Sequence, residues 1–351
     1  MRYPDFLKHN GRIGFIAPSF GCTIEPYESL FKDALMRFES EGYKTILGPN
    51  CFVDKGIGKS NTPEECAKEI NDFFANDKCD VVISCGGGET MCEDIPFVDF
   101  EAIKRANPKW FMGYSDNTNL TFLLNTLCDT ASIYGPNAAS FGEIPRPQYV
   151  KDAMSVLKGD LFKVSNYDEW FLGISEEECE SEDEVVIIND KYYIRKPYEQ
   201  KLFMGEKATD AISFKGRLVG GCLDCITNLV GTKFDKVNDF SNKYKSEGII
   251  WFLEACDLNV MSIRRSLWQL EQAGWFENVN GFIIGRPRNY FDTFDGFDHI
   301  EAVRGILGKL NVPIVLDTDI GHLSPAMPII SGAIANVTAL NNIIEIEYEL
   351  K

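Results

Sequence analysis

"DVVISCGGG", residues 80–88, is the stretch on which the fold turns. An unbroken apolar run of this length reads as a strand buried on both faces, and it runs straight into three glycines. Upstream, "RIGFIAP" (12–18) is a second such run, closed by Pro18. "EPYESLFKDALMRFESEGY" (25–43) follows it. There Leu30, Phe31, Ala34, Leu35 and Phe38 recur at helical spacing, and Gly42 stops the pattern. "KTILG" (44–48) is a further strand. "TPEECAKEINDFFAND" (62–77) is a helix capped at Thr62, with Pro63 at its first position and Glu65 where a capping box needs it. Downstream come a strand, "KWFMG" (109–113), a helix, "NTNLTFLLNTLC" (117–128), and a strand, "ASIYGPN" (131–137). Strands alternating with helices at this rhythm imply an α/β fold, a parallel sheet with helices on both faces.

The chain has 351 residues, enough for about two domains with cores of their own. Its net charge of −18 argues against binding to nucleic acid or an anionic membrane, because such a surface repels phosphate. Eleven cysteines are an odd number without regular spacing. Cys222 and Cys225 form a C-x-x-C that opens a helix, but no second pair lies at zinc-ribbon distance. They read as structural thiols, and neither a metal nor a cofactor is expected. The start, "MRYPDFLKHNGRIGFIAPS", lacks the apolar core of a signal peptide, so the expected compartment is a reducing cytoplasm.

The pattern breaks after a helix near 148–158. "SEEECESEDE" (175–184) is too acidic to bury and reads as a solvated linker or hairpin loop, with Trp170, Phe171, Tyr192 and Tyr193 around it. The second part opens at "KGRLVGGCLDCITNLVGT" (215–232). It continues through the apolar strand "GIIWFLEA" (248–255), the amphipathic helix "NVMSIRRSLWQLEQAG" (259–274), and the strands "GFIIGRPR" and "VPIVLDTDIGH". "NVTALNNIIEIEYE" closes it as a hairpin with two asparagines at the turn. The expected division is 1–165, an insertion at 166–212, and 213–351.

Sites in open α/β sheets form beyond the carboxyl ends of strands. Ser115 follows "WFMG", Glu254 closes "IIWFLE" and His322 follows "PIVLDTDIG". A serine hydroxyl needs a base to attack, and an imidazole base needs a carboxylate to orient it. Of the three histidines, only His322 follows an apolar strand in this way. Other readings stay open on the residues alone. Ser115 could cap a helix, and the stretch around it departs from G-x-S-x-G at Asn117. Glu254 could pair with Arg264 or Arg265. The glycines of "CGGGET" could hold an oxyanion, together with the N–H of Asp116, or a phosphate. The phosphate spacing fits neither G-x-G-x-x-G nor the Walker motif.

"GYSDNTNL", "SCGGGET", "WFLEACDL" and "DIGHLSP", taken together, resemble the LD-carboxypeptidase family of serine peptidases, which includes the microcin C self-immunity proteins. The resemblance covers essentially the whole chain. It implies a triad on Ser115, Glu254 and His322. It implies a flavodoxin-like N-terminal domain, a C-terminal α/β domain and an active site at their interface. It further implies a cytoplasmic homodimer without metal, acting on a small peptide or aminoacyl-nucleotide. Gly87 or Gly88, with Asp116, would supply the oxyanion hole. The long chain and the aromatic-bearing insertion look more like the immunity-type branch than like the murein tetrapeptide carboxypeptidases of peptidoglycan recycling. In that branch Trp170 would stack on a nucleobase. Substrates of both branches carry anionic groups, so positive side chains must face the cleft despite the acidic surface, and Arg264, Arg265 and Arg286 are the candidates. An inactive binding module is the rival from another class.

Overall fold

In the computed structural model, residues 1–175, 185–188 and 191–351 are described, so most of the acidic stretch at 175–184 lies outside the described residues. The N-terminal strands are β1 (Arg12–Ile16), β2 (Lys44–Leu47), β3 (Val81–Ser84), β4 (Phe111–Gly113) and β5 (Ser132–Tyr134). They pair in parallel in the spatial order β2-β1-β3-β4-β5. That is the flavodoxin-like order, whose ligand crevice opens where β1 and β3 send their connections to opposite sides. Thr62 caps the helix Pro63–Ala75 by accepting the Glu65 N–H, as the capping pattern implies.

Next come β6 (Lys163–Ser165), β7 (Glu169–Ile174), β8 (Val185–Ile188), β9 (Lys191–Pro197), β10 (Lys201–Met204) and β11 (Lys207–Ala208). The C-terminal strands are β12 (Ala211–Cys222), β13 (Ile249–Glu254), β14 (Val279–Gly285), β15 (Pro313–Thr318), β16 (Ile329–Ser331), β17 (Ile334–Leu340) and β18 (Ile343–Glu349). β7, β9 and β8 form a small antiparallel sheet. A second large sheet runs β11-β10-β15-β14-β13-β12-β17-β18-β6, with β12 to β15 parallel. Asn341 and Asn342 turn β17 into β18 with φ of 52° and 58°, the left-handed pair that a two-residue hairpin requires.

The two large sheets exchange edge strands. β16, far along the chain, pairs antiparallel with β5, and β6 pairs antiparallel with β18. Apolar packing runs across the seam, with Phe15 and Ile133 from one sheet buried in the same cluster as Phe252 and Val337 from the other. Burial of this kind contributes about 25 cal/mol per Å² and holds the facing strand ends in a fixed relation. Among the described residues no helix is long and apolar enough to cross a membrane.

Candidate active site

β4 stops at Gly113, Tyr114 is extended, and Ser115 sits at φ 64° before one 3-10 turn, Ser115–Asn117, and the helix Thr118–Thr126. A non-glycine residue in the left-handed region costs about 1–3 kcal/mol and persists only when its surroundings over-determine it. Here they do. Asn117 Nδ2 donates to Gly86 O at 2.8 Å and to Tyr114 O at 3.1 Å. The Asp116 carboxylate accepts from Met91 N at 2.9 Å, from Asn119 Nδ2 at 3.0 Å and from the Ser19 hydroxyl. The turn lifts the Ser115 side chain off the helix. Its hydroxyl caps nothing and lies 2.9 Å from His322 Nε2.

The other ring nitrogen, His322 Nδ1, is 2.8 Å from Glu254 Oε2. Glu254 ends β13 fully buried, and its second oxygen accepts from the Tyr134 hydroxyl at 2.6 Å. Neither Arg264 nor Arg265 pairs with it. Gly321, at φ 110°, makes the His322 contact possible, because a Cβ there would lie 2.6 Å from Glu254 Oε2. Burial alone would raise the Glu254 carboxyl. The facing His322 charge and the hydrogen bonds from His322, Tyr134 and Cys222 outweigh it and hold the group below its ordinary value. Burial alone would likewise lower the His322 imidazolium. The charge of the Glu254 carboxylate, the hydrogen bond it accepts from the ring and a further one to Cys256 outweigh this and hold it well above the ordinary histidine value. An Nδ1–H donated to Glu254 leaves the Nε2 lone pair facing the serine proton.

Gly87 runs against the serine, and a Cβ on it would stand 3.3 Å from Ser115 Oγ. Its carbonyl accepts from Phe20 N at 2.8 Å, while its N–H donates to no group among the described residues. Gly88, at φ 151°, lies against Ser19, where an added Cβ would collide with the Ser19 hydroxyl. The structure thus brings together Ser115, Asp116, Gly87, Glu254 and His322. Residue-by-residue reading missed Tyr134. It too stands at a strand end, but an aromatic there reads as core.

Trp170, Arg264, Arg265 and Arg286 stand elsewhere. Trp170 is 5% exposed, its indole N–H donates to Pro197 O at 3.1 Å, and its ring packs 4.9 Å from Tyr290. Arg286 is buried over that indole at 4.8 Å and paired with Asp319, and burial lowers its guanidinium to about 10. Arg264 lies over the Phe297 ring at 5.4 Å, and Arg265 bonds Ser262 Oγ at 3.0 Å. The Trp170→Ala variant is therefore expected to lose about 3–5 kcal/mol of stability, as truncation of a buried aromatic does. Its melting midpoint should fall by several degrees, with equal effects on all substrates. An unchanged melting curve with a raised KM would instead put the indole at the substrate.

A small pocket opens beside His322, lined by Tyr114, Tyr134, Tyr149, Ser324 and Met327 among others. It adjoins a groove of about 1050 Å³ that shares Tyr149 and Ser324 and adds the rings of Tyr167, Phe171 and Tyr193. Cys222 Sγ sits 3.3 Å from Asp224 Oδ2, and Cys225 Sγ sits 3.6 Å from Ser115 O. Among the described residues no group of histidines, cysteines and carboxylates is arranged to hold a metal ion.

Residues 13–135 match the model of the LD-carboxypeptidase N-terminal domain, and residues 215–337 match that of the LD-carboxypeptidase C-terminal domain. The chain is 24% identical over 323 residues to the microcin C7 self-immunity protein MccF of Escherichia coli, covering 90% of this chain and 87% of that protein. A solved structure of MccF in complex with aspartyl sulfamoyl adenosine superposes with a TM-score of 0.78 at 20% identity, covering 100% of this chain and 99% of the other. The crystal structure of a muramoyltetrapeptide carboxypeptidase from Oxalobacter formigenes superposes with a TM-score of 0.70 at 20% identity, covering 97% and 99%. At these identities the superpositions establish the shared fold.

Proposed function

The chain belongs to the LD-carboxypeptidase family of serine peptidases, and from that premise we propose that it hydrolyses the amide of an aminoacyl- or peptidyl-nucleotide through Ser115, His322 and Glu254. The observation that carries this reading is the unbroken line from Ser115 Oγ through the imidazole to Glu254, at 2.9 and 2.8 Å, on the edge of an open pocket.

Ser115 Oγ attacks the amide carbonyl and its proton passes to His322 Nε2. Glu254 keeps the imidazole in place and stabilises the imidazolium. The N–H groups of Gly87 and Asp116 receive the oxyanion. His322 then gives the proton to the leaving nitrogen as the C–N bond breaks. Water, deprotonated by the same imidazole, releases the acyl group from Ser115. No metal or cofactor takes part in these steps.

Support for a nucleotide-bearing substrate comes from the groove beside the pocket. Its ring-lined walls suit a nucleobase, since stacking on an aromatic side chain is worth about 1–3 kcal/mol per base. The rings of Tyr149, Tyr167, Phe171 and Tyr193 take the part that the family resemblance implied for Trp170. The test is incubation with an aminoacyl sulfamoyl adenosine and, separately, with a muropeptide tetrapeptide, with products identified by mass. Free amino acid and sulfamoyl adenosine are the expected products. Release of D-alanine from the tetrapeptide alone would transfer the site to murein substrates. No product from either, with Ser115 inert to a fluorophosphonate, would leave a binding module.

A further inference from the structure

We infer that Tyr134 is a positioning residue that ties the strained turn of Ser115 to the carboxylate that orients His322. The inference rests on the triad reading above. Tyr134 ends β5 in one sheet, whereas Glu254 ends β13 in the other. Its hydroxyl donates to Glu254 Oε1 at 2.6 Å and accepts the Ser115 N–H at 3.4 Å. One oxygen atom therefore touches both the backbone of the nucleophile and the carboxylate behind the base.

The ring is held for this. It is 2% exposed, packs 5.5 Å from Phe252 and 6.3 Å from Tyr114, and its hydroxyl finds Glu254 at the end of a fully buried strand. A buried carboxylate with one oxygen on an imidazole needs a second donor, since an unpaired buried acceptor is costly. Tyr134 supplies it, with the Cys222 thiol as a further, weaker donor, fixes the rotamer of Glu254 and so fixes the ring plane of His322. The Ser115 N–H donates to no other group among the described residues. Through that second contact the phenol also holds the turn in which Ser115 sits.

The phenol also sets the proton affinity of the dyad. A hydrogen bond to a carboxylate draws charge away from it, so an imidazolium facing that carboxylate is less stabilised. Removing the phenol should make His322 hold its proton to higher pH.

The test compares the unaltered protein with Tyr134→Phe, which keeps the ring and its packing. A fluorophosphonate is the probe, and the labelled residue is identified by mass. Loss of one charge-assisted hydrogen bond should slow labelling roughly 10- to 100-fold and move the acid limb of the rate to higher pH. Tyr348→Phe removes another buried phenol, one that donates to Pro328 O at 2.9 Å. It should lower the melting temperature and leave the acid limb in place. An unmoved limb in Tyr134→Phe, with or without loss of rate, would overturn the inference while labelling at Ser115 in the unaltered protein keeps the triad. Absence of labelling at Ser115 in the unaltered protein would remove the triad and this inference together.

Discussion

The Ser115→Ala variant should turn over substrate at least three orders of magnitude more slowly than the unaltered enzyme, with an unchanged melting curve. The rate loss follows from what the hydroxyl does. It is the atom 2.9 Å from His322 Nε2, and no other hydroxyl bonds that nitrogen among the described residues. Members of a triad act as a unit, so losing the nucleophile removes nearly all that the base and the carboxylate contribute. The stability expectation has a separate basis. The left-handed backbone at this position is held by Asn117, Asp116 and the Ser115 N–H, and alanine keeps all three. Alanine also carries the same conformational cost there as serine, since both have a Cβ. Substrate binding should survive, so a dissociation constant close to that of the unaltered protein is the companion result. Turnover near the wild-type level would sink the assignment of Ser115. A collapsed melting curve would show that the hydroxyl supports the turn as well.

For Glu254→Gln the expected loss is roughly 10³- to 10⁴-fold in kcat, and the pH profile should shift as well. The amide has nearly the same shape, and its oxygen can still accept from Tyr134. Its NH₂ would then face His322 Nδ1 and favour the tautomer with the proton on Nε2, which has no lone pair for the serine proton. The sign of the pH effect follows from the charge. The Glu254 carboxylate raises the His322 pKa well above the ordinary value, and the base works only when neutral. Activity of the unaltered enzyme should therefore fall, as pH is lowered, through an acid limb above the ordinary imidazole value of about 6.5. In Glu254→Gln the raising charge is gone, so the residual activity should show its limb at lower pH. A kcat/KM profile across pH 5 to 9, on the order of two pH units either side of neutrality, resolves both effects. A limb that stays put would mean that another group sets it. His299 offers the control. It is buried against Asp317 at 2.8 Å and hydrogen-bonds neither Ser115 nor Glu254, and His299→Ala should keep the limb of the unaltered enzyme.

The alternation of strands and helices was legible because burial on both faces leaves unbroken apolar runs, and helices repeat at a 3.6-residue period. "DVVISCGGG" and "GIIWFLEA" became β3 and β13 for that local reason. The same runs marked where strands end, and polar residues just past such ends are where an α/β sheet exposes chemistry. Ser115, Glu254 and His322 were singled out as candidates that way, without any knowledge of their distances. Local patterns could not show their meeting, which only the family resemblance implied, since it depends on how two sheets pack across more than two hundred residues of chain. Nor could sequence show that β16 and β6 cross to the opposite sheet, because a three-residue strand carries no mark of its partner. Trp170 illustrates the same limit. An indole in a strand of alternating burial can face a cleft or a core with equal local logic, and only the positions of Arg286, Tyr290 and the Pro197 carbonyl turned it inward. Tyr134 is the converse case. Sequence presents it as one more core aromatic at the end of a strand, and only the tertiary structure puts a carboxylate 2.6 Å from its hydroxyl. Residue type and period fix what is buried locally. Which buried groups meet is decided by long-range packing, where each polar atom withdrawn from water must find a partner.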